Sequence, residues 1–239
     1  MAANVTRLPN GISTAGTGET LANWGLPDPT TYHTFFDDFD NFEADQWVIT
    51  TTEAGAGDAT EAISNADGGV LLVTNDAADN DADFFQYSGD DASGVVETWK
   101  FVAGKKLWFK ARLKVSDATQ SDFVIGLQIT DTTPLAVTDG VYFRKDDGDA
   151  NLDFVVIKDS TATTQTAFST AADDTWMVLG FYYNGVDKIS VFKDDVAVAS
   201  SVLTNLPDDE ELTISFGIQN GEAVAKTMSV DYIFVSKER

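Results

Sequence analysis

Residues 106–115 read Lys-Leu-Trp-Phe-Lys-Ala-Arg-Leu-Lys-Val, and this stretch decides the fold class. Apolar side chains occupy every second position, and a Trp or a cation occupies each position between. The apolar set is Leu107, Phe109, Ala111, Leu113 and Val115, and the alternate set is Trp108, Lys110, Arg112 and Lys114. A period of two predicts a β-strand with one face in a core and the other toward solvent.

The same signal recurs outward from this strand in both directions. Residues 122–130 alternate again, and 176–183 are apolar on both faces, which indicates a central strand. The Asn184-Gly185 pair and the acidic run 146–149 are typical of turns between strands. Further strands are predicted over 70–73, 97–102, 141–144, 152–157, 188–193, 196–200, 212–218 and 227–236. No amphipathic helix of useful length is found, so the sequence predicts an all-β sandwich or barrel.

Charge excludes two classes of partner. The 239 residues carry 15 Lys and Arg against 39 Asp and Glu, a net charge of -24. Such a chain repels phosphate backbones and anionic lipid, so we expect no nucleic-acid partner and no membrane partner. There is no Cys, which excludes disulfides and Cys-ligated zinc. The first residues lack the apolar region of a secretory signal peptide.

Residues 1–30 differ from the rest of the chain. They contain three prolines and several glycines without a sustained period, so we predict an extended N-terminal arm, followed by one β-sandwich domain over residues 31–239. A frayed terminus is the alternative. The arm nevertheless carries apolar side chains that could anchor it to another protein: Val5, Leu8, Ile12, Leu21 and Trp24.

The order of segments resembles a known fold family. Phe-Asp-Asp-Phe-Asp at 36–40 precedes Trp47, the strands at 108–112 and 126–129 follow, and Val-Asp-Tyr-Ile at 230–233 closes the chain. This series resembles the concanavalin A-like jelly roll of legume lectins, laminin G domains and family 16 glucanases. Over residues 35–239 the resemblance implies a two-sheet antiparallel jelly-roll sandwich.

A second resemblance concerns the N-terminal region. Thr-Arg-Leu-Pro-Asn-Gly at 6–11, with Pro-Asp-Pro-Thr at 27–30, is similar to structural proteins of tailed bacteriophages. That resemblance implies a capsid decoration or cement protein on the outer surface of the virion. Its partner would be the major capsid protein, and it would form a homo-oligomer, for example a trimer. Deleting residues 1–30 is then expected to abolish capsid association and to leave the sandwich folded.

The sequence lacks the residue patterns that an enzymatic reaction would need. Family 16 glucanases carry Glu-x-Asp-x-x-Glu on one strand, and no Glu of this chain begins that motif. His33 is the single histidine, and we read it as a surface or junction residue. We therefore predict that the protein is not an enzyme, with a divergent glycosidase using scattered carboxylates as the remaining alternative.

Calcium is the one metal for which the sequence offers ligands. Asp79, Asp81 and Asp83 alternate as in an EF-hand loop, although Phe84 stands where the sharp turn of that loop needs Gly. The alternative is a solvated strand edge with all three carboxylates on one face. No other cofactor is expected.

A carbohydrate-binding, lectin-like module, or a head fibre used in host-surface adhesion, is the alternative to the decoration role. It requires exposed aromatic side chains. Trp47, Trp99 and Trp176 are candidates, although their strand context favours the core. The stripe from Trp108 to Lys114 is read either as a solvent-facing strand whose cations balance neighbouring Asp residues or as a contact face for an acidic partner.

Overall fold

The structure, a computed structural model, describes residues 30–66, 68–89 and 96–239, together with the backbone of 7–8 and 11–12. Those two short segments form β1 (Arg7–Leu8) and β2 (Gly11–Ile12), which pair antiparallel. The predicted anchors Val5, Leu21 and Trp24 lie outside the described residues, as do the side chains of Leu8 and Ile12. Their partner-binding role stays a prediction.

The chain folds as a jelly-roll sandwich of two antiparallel sheets, as predicted. One sheet has seven strands in the order β12 (Thr161–Thr170), β11 (Asn151–Lys158), β10 (Gly140–Lys145), β9 (Ser121–Gln128), β16 (Thr213–Asn220), β7 (Ala82–Tyr87) and β4 (Trp47–Thr52). The other has eight: β15 (Val196–Val202), β14 (Lys188–Lys193), β13 (Met177–Tyr183), β8 (Leu107–Val115), β17 (Thr227–Glu238), β6 (Leu71–Thr74) and β5 (Thr60–Ile63) in order, with β3 (Tyr32–Asp37) also on β17. Two 3₁₀ turns, Ala44–Gln46 and Pro134–Ala136, are the helical elements of the described residues. None of the helices in this part of the chain is long and apolar enough to cross a bilayer.

The strand with the clearest alternation, β8, lies near the middle of the eight-stranded sheet. β8 pairs with β13 on one side and with β17 on the other, and its residues alternate between buried and partly exposed as predicted. The buried set faces the seven-stranded sheet and forms the core with the inward side chains of that sheet. Phe109 stacks on Phe181 of β13, with ring centroids 5.1 Å apart. Burial of this paired set is the main force that holds the sheets together.

The expected strands and those of the structure differ in two ways. The predicted strand at 97–102 is wrong, because these residues make a single isolated bridge, between Trp99 and Leu212, and otherwise run irregularly. In the other direction, the ten-residue strand β12 was not anticipated. Its Thr-rich sequence has no apolar alternation because it is the outermost strand of its sheet and most of its side chains are exposed or partly exposed.

The turn at Asn184 is longer than a two-residue hairpin. β13 ends at Tyr183 and β14 begins at Lys188, so four residues connect them. The Asn184 side-chain oxygen accepts the backbone N–H groups of Val186 and Asp187 at 2.9 and 3.0 Å. Gly185 adopts φ +77°, a conformation that suits glycine. The Asn side chain therefore organises the turn, in the manner of an Asx turn.

Replacing Asn184 with Ala is expected to lower the free energy of unfolding by about 1–2 kcal/mol, because the backbone N–H groups of Val186, Asp187 and Lys188 lose their acceptor. Urea denaturation of the two proteins measures the difference. Asn41→Ala is the control, since the Asn41 side chain donates to the exposed side chain of Glu43 and organises no turn in this way. Equal stability of Asn184→Ala and the parent would show that solvent replaces the side-chain oxygen fully.

Candidate functional site

Each sheet has an outer face, and the outer face of the seven-stranded sheet is closed at its centre. Residues 129–139 cross this face, where Val137 and Leu135 pack on Phe84 and Tyr142. The crossing segment is tied down by the Gln86 and Gln128 side chains of the strands below: Gln86 donates to the Ile129 carbonyl and accepts from the Asp131 amide, and Gln128 donates to the Pro134 carbonyl. A ligand has no access to the middle of this sheet in this conformation.

The outer face of the eight-stranded sheet is open and aromatic. One row of directly paired residues crosses it perpendicular to the strands, from β3 through β17, β8 and β13 to β14. The row runs Phe36, Phe234, Lys110, Gly180, Phe192. Phe36 is 60% exposed, and the two other phenylalanines of the row are partly exposed. Exposed aromatic side chains in such a group mark a binding surface more often than an accident of sequence.

A cavity of about 340 Å³ lies in the middle of this row. Gly180 leaves its floor empty, and Phe192 and Phe234 stand on either side. These two side chains are three strands apart, which corresponds to about 14 Å at the usual strand spacing. Trp108 and Tyr182, paired directly across β8 and β13, form a third wall, with ring centroids 5.3 Å apart and planes at 24°. The remaining apolar wall is Val178.

Two charged residues of the described chain line the cavity, and they form an ion pair. Lys110 Nζ lies 2.6 Å from Asp195 Oδ1 at the rim. Burial lowers the pKa of Lys110, but its bonds to Asp195 and to the Tyr232 hydroxyl outweigh burial, so the net pKa is raised. Lys110 is therefore a cation at neutral pH, and the Lys–Asp pair presents a donor and an acceptor side by side.

The cations farther along β8 are paired in the same way. Arg112 bonds Asp231, and its guanidinium lies 4.4 Å above the ring of Trp176. Lys114 lies 3.7 Å from Asp174. The basic stripe is thus balanced by aspartates, in agreement with the first of its two interpretations, and this leaves the aromatic cavity as the distinctive feature of the face.

The three predicted calcium ligands take different positions. Asp79 is exposed. Asp81 accepts the backbone amides of Ala54 and Ala78 with its two carboxylate oxygens. Asp83 points inward from β7 and accepts the Thr51 hydroxyl. The interpretation of this segment as a solvated strand edge is wrong for Asp81 and Asp83, which have almost no exposed surface. Throughout the described residues, no group of three or more His, Asp or Glu side chains is arranged to hold a metal ion.

Asp83 has a carboxylate for a neighbour. Its second oxygen receives no hydrogen bond from a donor, and the group facing it is Glu61 of β5, in the other sheet. Burial, then the contact with Glu61, raises the pKa of Asp83 to about 8. The two carboxyl groups of a glycosidase stand about 5 Å or more apart on either side of the scissile bond, whereas Asp83 and Glu61 are in direct contact and Asp83 has no exposed surface that a sugar could reach.

The other aromatic candidates divide between core and surface. Trp47 and Trp99 are buried, Trp47 in β4 and Trp99 outside any regular strand, whereas Trp176 is partly exposed under the Arg112 and Lys114 side chains. His33 is a half-buried residue of β3, paired with β17, and its ring lies 4.3 Å from that of Trp99. None of these four lines the cavity over Gly180.

The sequence predicts the orientation of two of the residues that line the cavity. The alternation over 106–115 places Trp108 and Lys110 on the outer face, but nothing in the sequence pairs them with Phe192, Phe234 or Asp195. The available signal was Gly180, a glycine in the middle of an otherwise bulky strand, because an interior strand glycine often marks a close approach of another molecule.

Comparisons with known proteins show the fold. No family model matches the chain, and no curated protein matches its sequence. Among solved structures, an endo-1,3-beta-glucanase from Streptomyces sioyaensis is similar with a TM-score of 0.59 at 13% identity, over 90% of this chain and 99% of that one. An endo-beta-1,4-glucuronan lyase from Trichoderma reesei gives 0.55 at 11%, over 84% and 94%. The carbohydrate recognition domain of Emp46p gives 0.54 at 9%, over 83% and 93%. The concanavalin A-like jelly roll is thus confirmed, and this fold is shared by enzymes and by lectins without activity.

Proposed function

We propose that the protein is a carbohydrate-binding, lectin-like module that holds a sugar in the cavity over Gly180. The observation that carries the proposal is the arrangement of Trp108, Tyr182, Phe192 and Phe234 around an empty glycine floor on an open sheet face. Pyranose rings present apolar C–H faces that pack on aromatic rings, and their hydroxyl groups need donors and acceptors at the rim. The Lys110–Asp195 pair supplies both.

Similar folds support a role with glycans. The neighbours include enzymes that act on a glucan and on a glucuronan and a carbohydrate recognition domain, by their titles. Their identities to this chain are 13% or below, so they support the class of ligand and assign no residue. None of the three is described as part of a virion. The location on a phage capsid, the capsid partner and the oligomer therefore stay predictions from the sequence.

Binding without catalysis fits the lining of the cavity better than hydrolysis. Both the retaining and the inverting mechanisms need two carboxyl groups on either side of the scissile bond. Within the described residues, Asp195 is the one carboxyl group of the lining, and it is paired with the ammonium group of Lys110. The proposed module therefore captures a sugar and leaves its bonds intact.

Trp108→Ala is the direct test of the proposed site. Removing the largest ring of the cavity is expected to weaken binding of a soluble β-glucan oligosaccharide by about 1–3 kcal/mol, roughly 5- to 150-fold in Kd by calorimetry. Trp176→Ala is the matched control, because Trp176 is also a partly exposed Trp of this sheet face and does not line the cavity.

Two results would contradict the proposal. One is undiminished binding by Trp108→Ala in a protein that still melts cooperatively. The other is the absence of binding to any glycan of a broad array combined with self-association that Trp108→Ala abolishes. That second result would make the aromatic face a subunit interface.

A further inference from the structure

We infer that the cavity over Gly180 selects uncharged sugars and that the Lys110–Asp195 pair sets this selectivity. The inference rests on the proposed function, because it names the class of glycan that the same site takes. The similar structures leave the question open, since they include an enzyme for a neutral glucan and one for a glucuronan, whose sugars carry carboxylates.

The first reason is the local charge. A carboxylated sugar needs a cation that is free to form a charged hydrogen bond. Lys110 is the cation of the cavity lining within the described residues, and Asp195 holds its Nζ at 2.6 Å. The next two cations along β8 are paired as well, Arg112 with Asp231 and Lys114 with Asp174. An incoming carboxylate would have to displace an aspartate that is already in place.

The second reason is the field of the whole chain. The net charge is -24, and the three cations that β8 presents on this face, Lys110, Arg112 and Lys114, are each paired with an aspartate. An anionic polymer is repelled on approach, with a range of about 8 Å at physiological ionic strength. A neutral sugar meets no such barrier, and its adjacent hydroxyl groups can bond the ammonium and the carboxylate together.

The turn between β14 and β15 is shaped to bring Asp195 to the cavity. Asp194 and Asp195 have φ of 51° and 62°, the left-handed region that favours Gly or Asn. Asp194 fixes the turn by accepting the Val178 amide with its side chain at 2.9 Å. Asp195 then reaches across β13 to Lys110. Asp tolerates this left-handed conformation better than most residues, so the turn can form with a carboxylate at this position.

Asp195→Asn tests the inference because it releases Lys110 and keeps the shape of the turn. The probes are two oligosaccharides of equal length, a neutral β-1,3-glucan and a β-1,4-glucuronan, titrated by calorimetry at 50 and 300 mM NaCl. The parent is expected to bind the glucan at least about tenfold more tightly than the glucuronan. In Asp195→Asn, glucuronan affinity is expected to rise about tenfold at the lower salt concentration, and most of that gain should vanish at the higher one.

Asp174→Asn is the matched control, because it releases Lys114 outside the cavity and removes the same charge. It should leave both affinities within about twofold of the parent. If the parent prefers the glucuronan, or if both substitutions raise glucuronan affinity equally, the selectivity inference is overturned and glycan binding stands. If the parent binds neither probe nor any glycan of an array, the proposed function itself fails, and the inference fails with it.

Discussion

Replacing Asp83 with Asn is expected to raise the free energy of unfolding at pH 8 by about 3–5 kcal/mol and to leave it nearly unchanged at pH 4. Asp83 lies on β7 with no exposed surface, and one of its oxygens faces the carboxylate of Glu61 on the opposite sheet. This contact is compatible with burial only while one of the two groups carries a proton. Asn supplies an N–H toward Glu61 and an oxygen toward the Thr51 hydroxyl, so it replaces the protonated acid without titrating.

The direction of the pH dependence follows from the two pKa values. In the unfolded chain Asp83 titrates near its ordinary value of 3.8, and in the folded protein burial raises its pKa to about 8. Between these values the folded state holds a proton that the unfolded state has released. The free energy of unfolding therefore decreases as the pH rises, by up to about 1.4 kcal/mol per unit, and levels off above pH 8. Asp83→Asn removes this contribution.

Urea denaturation of the parent and of Asp83→Asn at several pH values from 4 to 9 measures the effect. The difference between their free energies of unfolding at each pH isolates the contribution of Asp83 from those of the many other carboxylates. Asp79→Asn, an exposed change in the loop that precedes β7, controls for the loss of one negative charge. Glu61→Gln should reduce the dependence as well, because it removes the second carboxyl group of the pair. Parallel curves for Asp83→Asn and the parent would mean that Asp83 is ionised in the folded protein.

Asp83 also shows where sequence reasoning reached its limit. The alternation of Asp79, Asp81 and Asp83 indicated a solvated edge because acidic side chains are usually exposed. The structure buries the last two at the side of the sandwich where β7 and β5 approach each other from opposite sheets. A pairing between segments that are far apart in sequence leaves no local signal, so the pattern alone could not reveal that these acids lie inside.

A strand of this fold can be predicted where its own sequence shows which of its side chains are buried. β8 and β13 were recognised because each buries alternate or successive side chains in one core. β12 could not be predicted in this way, because an edge strand with exposed threonines has no pattern of buried apolar residues. The segment around Trp99 is irregular although its sequence predicts a strand. Buried aromatic residues such as Trp99 and Phe101 give the same sequence signal in a buried loop as in a strand. The candidate site lies across four strands, β14, β13, β8 and β17, and the turn after β14, so the sequence of one strand could predict only its β8 members.

Gly180→Val is expected to abolish sugar binding, with a loss of at least about 100-fold in affinity, and to leave the sandwich folded. Gly180 has ordinary strand geometry, and a Cβ at this position would lie 3.1 Å from the Phe109 carbonyl oxygen and 3.8 Å from Lys110, so the sheet accommodates a larger residue only if the Phe109 carbonyl moves by a few tenths of an ångström. The valine methyl groups would fill the cavity floor between Phe192 and Phe234, where the sugar ring is proposed to sit.

Gly180→Ala provides the graded control, since one methyl group fills less of the floor and should cost less affinity than Val. Thermal melting and circular dichroism establish that both variants are folded, and calorimetry with the neutral β-glucan oligosaccharide measures the binding. The order parent, Ala, Val in decreasing affinity is the result that a floor occupied by ligand requires. Folded Gly180→Val that binds as tightly as the parent would place the sugar elsewhere on the protein, because no ring can occupy a volume already filled by the valine side chain.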